Sequence, residues 1–284
     1  MEVQWELLFF SLFVAVGMGS FAFVAVTEVR GELESVRLPG VFTSLFALGL
    51  GSLASFFHLG HPERIFHMLG NMRSGISQEF ISTAVIITVV IIYAFMLMKK
   101  DSDGVKRRRL AIVGIVLSCL VVLSTGKIYL QGARPAWNTL VIPFLYLSTA
   151  IPLGLFTMSI WVSIKSEDEE VAKNISKWLL FGQVMFGFMV LAYVLHLAGA
   201  PHPDPTRSAA RLIAGDLAAY FWGFVVLIGI AVPMFMTIKK VLAKQPSISL
   251  PFALAGLACT LVGAGAIRAL QYLLGTSVHQ FLVG

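Results

Sequence analysis

The sequence predicts an all-α, polytopic transmembrane helical bundle of about eight helices with both termini external. Three observations predict it: a mean hydropathy of +0.85 with only 13% charged residues, eight apolar blocks of helix-spanning length, and a one-sided distribution of basic residues between them. A chain of 284 residues with so few charges cannot cover a water-soluble surface of its size. Lipid is the solvent that fits.

The apolar blocks fall at residues 5–27, 39–60, 79–98, 107–130, 141–163, 177–199, 213–237 and 250–273. Each matches the length that a helix rising about 1.5 Å per residue needs to cross about 30 Å of hydrocarbon. A transmembrane barrel would instead show short segments of alternating polarity, whereas runs such as Ala84–Met98 and Leu110–Leu123 are apolar on every face. The expectation is a single integral membrane domain over residues 1–284. The first block is read as a mature helix and not a signal peptide, because Glu2 and Glu6 stand at its start where a signal peptide carries Lys or Arg.

The links after the odd-numbered blocks carry Arg30 and Arg37, then Lys99, Lys100 and the run Lys106–Arg109, then Lys165, Lys173 and Lys177, then Lys239, Lys240 and Lys244. The opposite links carry fewer: Arg64, Arg73, Lys127, Arg134, Arg207 and Arg211. The positive-inside rule places the first set in the cytoplasm and both termini outside, in agreement with an even number of spans. The net charge of +6 belongs to this topology and not to nucleic-acid binding. The acidic run Glu167–Glu170 reads as a solvated cap on the following helix. Cys119 and Cys259 both fall inside spans, so no disulfide framework, metal cluster or iron–sulfur centre is indicated in this chain.

Ionisable residues near membrane depth carry the functional signal. His58 closes the second block, Glu79 opens the third, His196 lies late in the sixth, Asp216 early in the seventh and Arg268 late in the eighth. On the predicted topology all five share the outer half of the bilayer, where charge is costly and usually faces a cavity, a partner or water. A polar pocket opening outward is one reading; pairing of Asp216 or Glu79 with Arg268 is the structural one. A histidine and a carboxylate beside an apolar slot suit a quinone ring, its two oxygens and the protons released on oxidation. A haem held by His58 and His196 is the near alternative. A transporter or facilitator is the alternative of another class, although the span interiors hold almost no charge near the midplane. His61, His67, His202 and His279 fall in links or the tail. The links at this end are rich in Pro, Gly and aromatic residues, and Lys127, Tyr129, Arg134 and Trp137 are expected to form a docking surface for a partner protein. Close helix contacts are expected at Ala15 with Gly19 and at Cys259 with Gly263.

Two strings, SFFHLGHPERIFHML at 55–69 with the following NMRSGISQEF, and GKIYLQGARPAWNT at 126–139, give the chain a family resemblance over nearly its whole length. It resembles the membrane anchor subunit of dimethyl sulfoxide reductase. The resemblance implies eight spans with external termini in a prokaryotic cytoplasmic membrane, and no haem or metal in this chain. It also implies menaquinol binding, with electrons passed to a four-cluster iron–sulfur subunit and on to a catalytic subunit carrying the molybdenum cofactor. Carried over residue by residue, the quinol-binding and proton-accepting positions are His58 and Glu79, with Arg64 as a weaker match; His196, Asp216 and Arg268 are expected, from their placement alone, to form a supporting polar pocket. No catalytic residue toward the terminal substrate is expected here.

Overall fold

The computed structural model describes residues 2–58, 74–99, 103–165, 169–242 and 247–275. Eight helices in it are long and apolar enough to cross a membrane: α1 (Trp5–Arg30), α2 (Glu34–His58), α3 (Gly75–Met98), α4 (Gly104–Lys127), α5 (Val141–Lys165), α6 (Glu169–Ala198), α8 (Ala218–Leu242) and α9 (Leu250–Leu274). A short helix, α7 (Pro203–Ile213), occupies the link between α6 and α8. The described residues contain no strand. Each predicted block has its helix, with two informative differences. α2 and α6 begin five and eight residues before their apolar blocks, at Glu34 and Glu169, because charged residues extend a helix into the headgroup zone at no cost to its backbone hydrogen bonds. The GAPHPDPTR link, between the sixth and seventh apolar blocks, contains α7, which opens on Pro203 at a position where a missing N–H is harmless.

Consecutive spans run in opposite directions, which gives the bundle a terminal end, where α1 begins and α9 finishes, and a basic end, where the Lys- and Arg-rich links lie. α5 is the most enclosed span and α1 the next. α5 is buried despite its hydroxyls because Ser148, Thr149, Thr157 and Ser159 each donate to a carbonyl three or four residues back, so that these hydroxyls are satisfied within the helix. α1 crosses α5 at Gly19 and Gly154, where a Cβ on either residue would strike the backbone of the other helix. Gly263 of α9 meets Gly229 of α8 in the same way. Both contacts use the glycines expected to allow close approach, although their partners, Gly154 and Gly229, lie on other helices.

α1 ends at Gly31 in the left-handed conformation, φ 73°, and the Gly31 and Glu32 amides donate to Glu28 and Thr27 carbonyls. α4 starts at Asp103, whose Oδ1 accepts from the amides of Val105 at 2.9 Å and Lys106 at 3.2 Å. Those bonds hold the Asp103 carboxyl below the usual carboxylate range. α8 is π-helical over Phe221–Ala231 before returning to α-helix at Val232. The wider turn precedes Pro233, whose ring would otherwise press on the carbonyl one turn back.

Candidate functional site

α3 enters the bundle from Ser74, and the helical period turns Glu79 inward, leaving it 7% exposed. Thr83, one turn further along the same face, is buried as well. Neither Glu79 Oε1 nor Thr83 Oγ1 has a hydrogen-bond partner among the described residues. Ser82 and Ser124 hydroxyls meet at 3.4 Å, and Lys127 Nζ donates to Gln78 Oε1 at 3.4 Å, so α4 closes one side of this stretch.

Beside Glu79 stands a buried aromatic cluster assembled from separate parts of the chain. Tyr129 and Trp137 come from the link after α4, Tyr146 from α5 and Tyr272 from α9. Their rings pack edge-on or tilted at 5.3 to 5.8 Å between centroids. The Tyr129 and Tyr272 hydroxyls hydrogen-bond to one another, and Tyr146 donates to Gln271 Oε1 at 3.1 Å. Trp137 Nε1 donates to the Gln271 carbonyl at 2.7 Å, and Tyr193 of α6 donates to the Ala136 carbonyl at 3.1 Å. Glu79 is near enough to Tyr146 and Tyr272 to act on both electrostatically. Gln271 Nε2 is a third buried polar atom without a partner. Exchanging the amide's oxygen and nitrogen would leave the other atom unpaired instead. Burial pushes the Tyr129 phenol well above its usual range, so it stays neutral at physiological pH.

Arg268 lies behind this cluster with 1% exposure. Its guanidinium donates to Ser11 at 3.1 Å, to the Ala264 carbonyl at 2.9 Å and to Thr149 at 3.0 Å, and it stacks 4.3 Å from the Tyr146 ring. All these partners are neutral. The Tyr146 and Tyr272 phenols are thus flanked by a buried cation and a buried carboxyl.

The structure brings together some predicted residues and separates others. α2 ends at His58, at the same end of the bundle as Glu79; the His58 side chain and Arg64 lie outside the described residues. The supporting pocket of His196, Asp216 and Arg268 does not form. His196 is exposed on α6, and Asp216 is exposed and paired with Arg211, through contacts of 2.9 and 2.8 Å. The five-residue spacing lets Arg211, at the end of α7, reach Asp216 just beyond it. Arg211 also donates to the Leu273 carbonyl at 3.1 Å, capping the end of α9. Its guanidinium holds the Asp216 carboxyl below the usual range. The docking set needs a similar correction: Tyr129 and Trp137 are 3% and 2% exposed and belong to the interior, because their hydroxyl and indole N–H find partners on α9. Lys127 is exposed, and the Arg134 guanidinium lies 4.3 Å above the Trp137 ring.

Sequence reasoning missed Tyr146, Gln271 and Tyr272. Polar residues near the ends of apolar blocks were the available signal, and it does not distinguish headgroup anchors from interior groups. It also missed a second buried site, at the basic end. There Glu28, 7% exposed, accepts from Arg37 Nη1 at 2.7 Å, Arg107 Nε at 2.7 Å and the Tyr93 hydroxyl at 3.0 Å. Arg37 also donates to the Thr27 and Glu32 carbonyls, satisfying the end of α1.

The model of the DMSO reductase anchor subunit family, DmsC, matches residues 1–274. The chain belongs to that family. It is 25% identical to the C subunit of anaerobic dimethyl sulfoxide reductase from Escherichia coli K12 over 283 residues, covering 97% of both proteins. It is 26% identical to the corresponding subunit from Haemophilus influenzae over 175 residues, 59% of this protein and 61% of that one. The DmsC match agrees with the eight-span architecture of a multi-pass membrane anchor. Among the described residues no group of three or more His, Cys, Asp or Glu is arranged to hold a metal ion.

Proposed function

We propose that this DmsC-family anchor oxidises menaquinol at the terminal end of the bundle and passes the electrons to an iron–sulfur subunit. That subunit supplies a molybdenum-containing catalytic subunit, which reduces dimethyl sulfoxide or a related acceptor. The observation that carries the reading is Glu79: a carboxyl buried at the start of a span, with one oxygen unpaired, beside unpaired Gln271 and Thr83. Buried polar atoms are normally satisfied, and an orphaned carboxyl oxygen one turn from an orphaned hydroxyl suits a polar ligand.

Oxidising a quinol releases two electrons and two protons. Glu79 is suited to accept one proton, and His58, at the end of α2, the other. Arg64 in the following link is a further candidate contact. The aromatic cluster keeps the neighbouring space apolar and rigid, and Arg268 behind Tyr146 favours negative charge developing in front of it. The electrons leave for the partner's terminal cluster directly, which requires the partner to dock at this same end. Lys127 and Arg134 are the residues expected to face it. With the basic links in the cytoplasm, protons and partner subunits both lie on the outer side.

The test is Glu79→Gln in the assembled complex. Quinol-dependent turnover is expected to fall about a hundredfold, while turnover driven by an artificial donor that reduces the partner subunits directly stays at the wild-type level. Unchanged quinol turnover would remove Glu79 from the reaction.

A further inference from the structure

An apolar crevice of about 200 Å³ lies away from the Glu79 site, roughly midway through the bundle. Its floor is α1 and α5, with the small residues Gly19, Ala22 and Ala150; Cys119 on α4 and Trp178 on α6 stand at its sides. Small floor residues are what make it deep. An open, apolar recess in a bilayer cannot be hydrated favourably and leaves its lining without dispersion partners if empty, so a hydrocarbon chain is its natural filling.

The basic end of this crevice carries charge in register with it. On α1 the lining residues Gly19, Ala22 and Val26 continue at helical spacing to Arg30; on α4, Val122 and Cys119 continue in the other direction to Arg108. The two helix ends are clamped together, since Glu28 of α1 and Arg107 of α4 form a 2.7 Å ion pair. The clamp sets the two helix ends level, so Arg30 and Arg108, on the lining stripes of α1 and α4, stand at the same end of the crevice. Arg108 is exposed, and Arg30 makes only a loose, exposed contact of 3.9 Å with Glu32. Glu28 is already shared by Arg37 and Arg107. Arg30 and Arg108 therefore keep guanidiniums that Glu28 does not neutralise.

We infer that the crevice and its basic mouth bind one anionic phospholipid, with an acyl chain between α4 and α6 and the phosphate at Arg30 and Arg108. A zwitterionic lipid offers the same acyl tail without the net negative charge, so headgroup charge sets the selectivity. The site is independent of the quinol reading, because neither Glu79 nor the aromatic cluster lines it.

Trp178 provides the readout. The full-length protein is placed in phosphatidylcholine nanodiscs containing increasing fractions of either phosphatidylglycerol or phosphatidylcholine brominated at mid-chain. The fluorescence difference between wild type and Trp178→Phe isolates this tryptophan. Brominated phosphatidylglycerol is expected to reach half-maximal quenching at a mole fraction at least about fivefold lower than brominated phosphatidylcholine. The double variant Arg30→Gln/Arg108→Gln is expected to bring the two together. If that variant does not survive purification, raising the salt concentration on the wild type gives the same comparison, with the preference shrinking toward parity. Equal quenching by both lipids in the wild type, a preference that survives both treatments, or displacement of brominated phosphatidylglycerol by excess menaquinone would overturn the assignment.

Discussion

The two ends of the bundle each bury a carboxylate to the same extent and treat it in opposite ways. Glu28 at the basic end is held by two guanidiniums and a phenol, and one of those arginines also caps the end of α1. Glu79 at the terminal end has an unpaired oxygen, and the nearest buried cation on the far side of the tyrosines, Arg268, spends its donors on neutral oxygens. Polar residues buried in a membrane protein are expensive wherever they lie. Satisfying every donor and acceptor makes such a group a fastener. Leaving one open makes it available to something that comes and goes. On the proposed quinol reading, the basic end serves architecture and the terminal end chemistry.

The strongest way to break this comparison is Arg37→Met. The change leaves Glu28 with Arg107 as its one guanidinium and strips the Thr27 and Glu32 carbonyls of their guanidinium donor, and the expected loss of stability is about 3 kcal/mol. Unfolding in a graded denaturing detergent, followed by loss of helical circular dichroism, measures it. Glu79→Gln in the same assay should lie within about 1 kcal/mol of wild type, since an isosteric amide replaces a carboxyl oxygen that had no partner. If Arg37→Met is harmless, or if Glu79→Gln unfolds the protein, the division of labour is wrong.

A finer comparison makes the same change at both ends. Tyr93→Phe deletes a hydroxyl that donates to the Glu28 carboxylate, and Tyr146→Phe deletes one that donates to the neutral Gln271 amide. Each keeps its ring and packing. A hydrogen bond to an ionised acceptor contributes about 1.5–3 kcal/mol and a neutral one about 1 kcal/mol. Tyr93→Phe should therefore be the more destabilising in detergent unfolding, while quinol turnover should respond to Tyr146→Phe and not to Tyr93→Phe. The reverse order in either measurement would place the reactive end of the molecule elsewhere.

The fold was legible because lipid imposes a simple rule. Eight blocks had to be helices, and each apolar block has a helix in the structure. Pairing was much less legible. Arg37 and Arg107 read as topology-setting charges, and nothing in a linear pattern shows that both turn inward to Glu28, which sits in the last turn of α1. Arg268 and Glu79 were recognisable as costly intramembrane charges, yet their shared neighbours, Tyr146 and Tyr272, come from helices far apart in sequence and look like ordinary interfacial aromatics. Trp137 and Tyr129 misled for that reason. The composition of a link does not reveal whether it lies on the surface or folds back into the bundle; that depends on the acceptors presented by α9. Asp216 was misplaced because the seventh apolar block starts at residue 213 in the sequence pattern, whereas α8 begins at Ala218.

Asp216 supplies the smallest expected effect and a control for both ends. Its pair with Arg211 is solvent-exposed, where attraction is screened and ordering two side chains opposes it. Asp216→Asn should leave the unfolding midpoint close to that of wild type at neutral pH, far less affected than by Arg37→Met. The sign of any residual difference follows from Arg211 holding the folded-state carboxyl below its unfolded value. The contribution is then complete above the ordinary aspartate pKa of about 3.9 and lost as pH falls through the lower, folded value. Wild-type and Asp216→Asn midpoints should accordingly converge on acidification below about pH 4, with wild type never the less stable of the two. A gap that widens on acidification would mean that Asp216 is buried against a partner other than Arg211 in the membrane, returning it to the polar site from which its exposed ion pair now separates it.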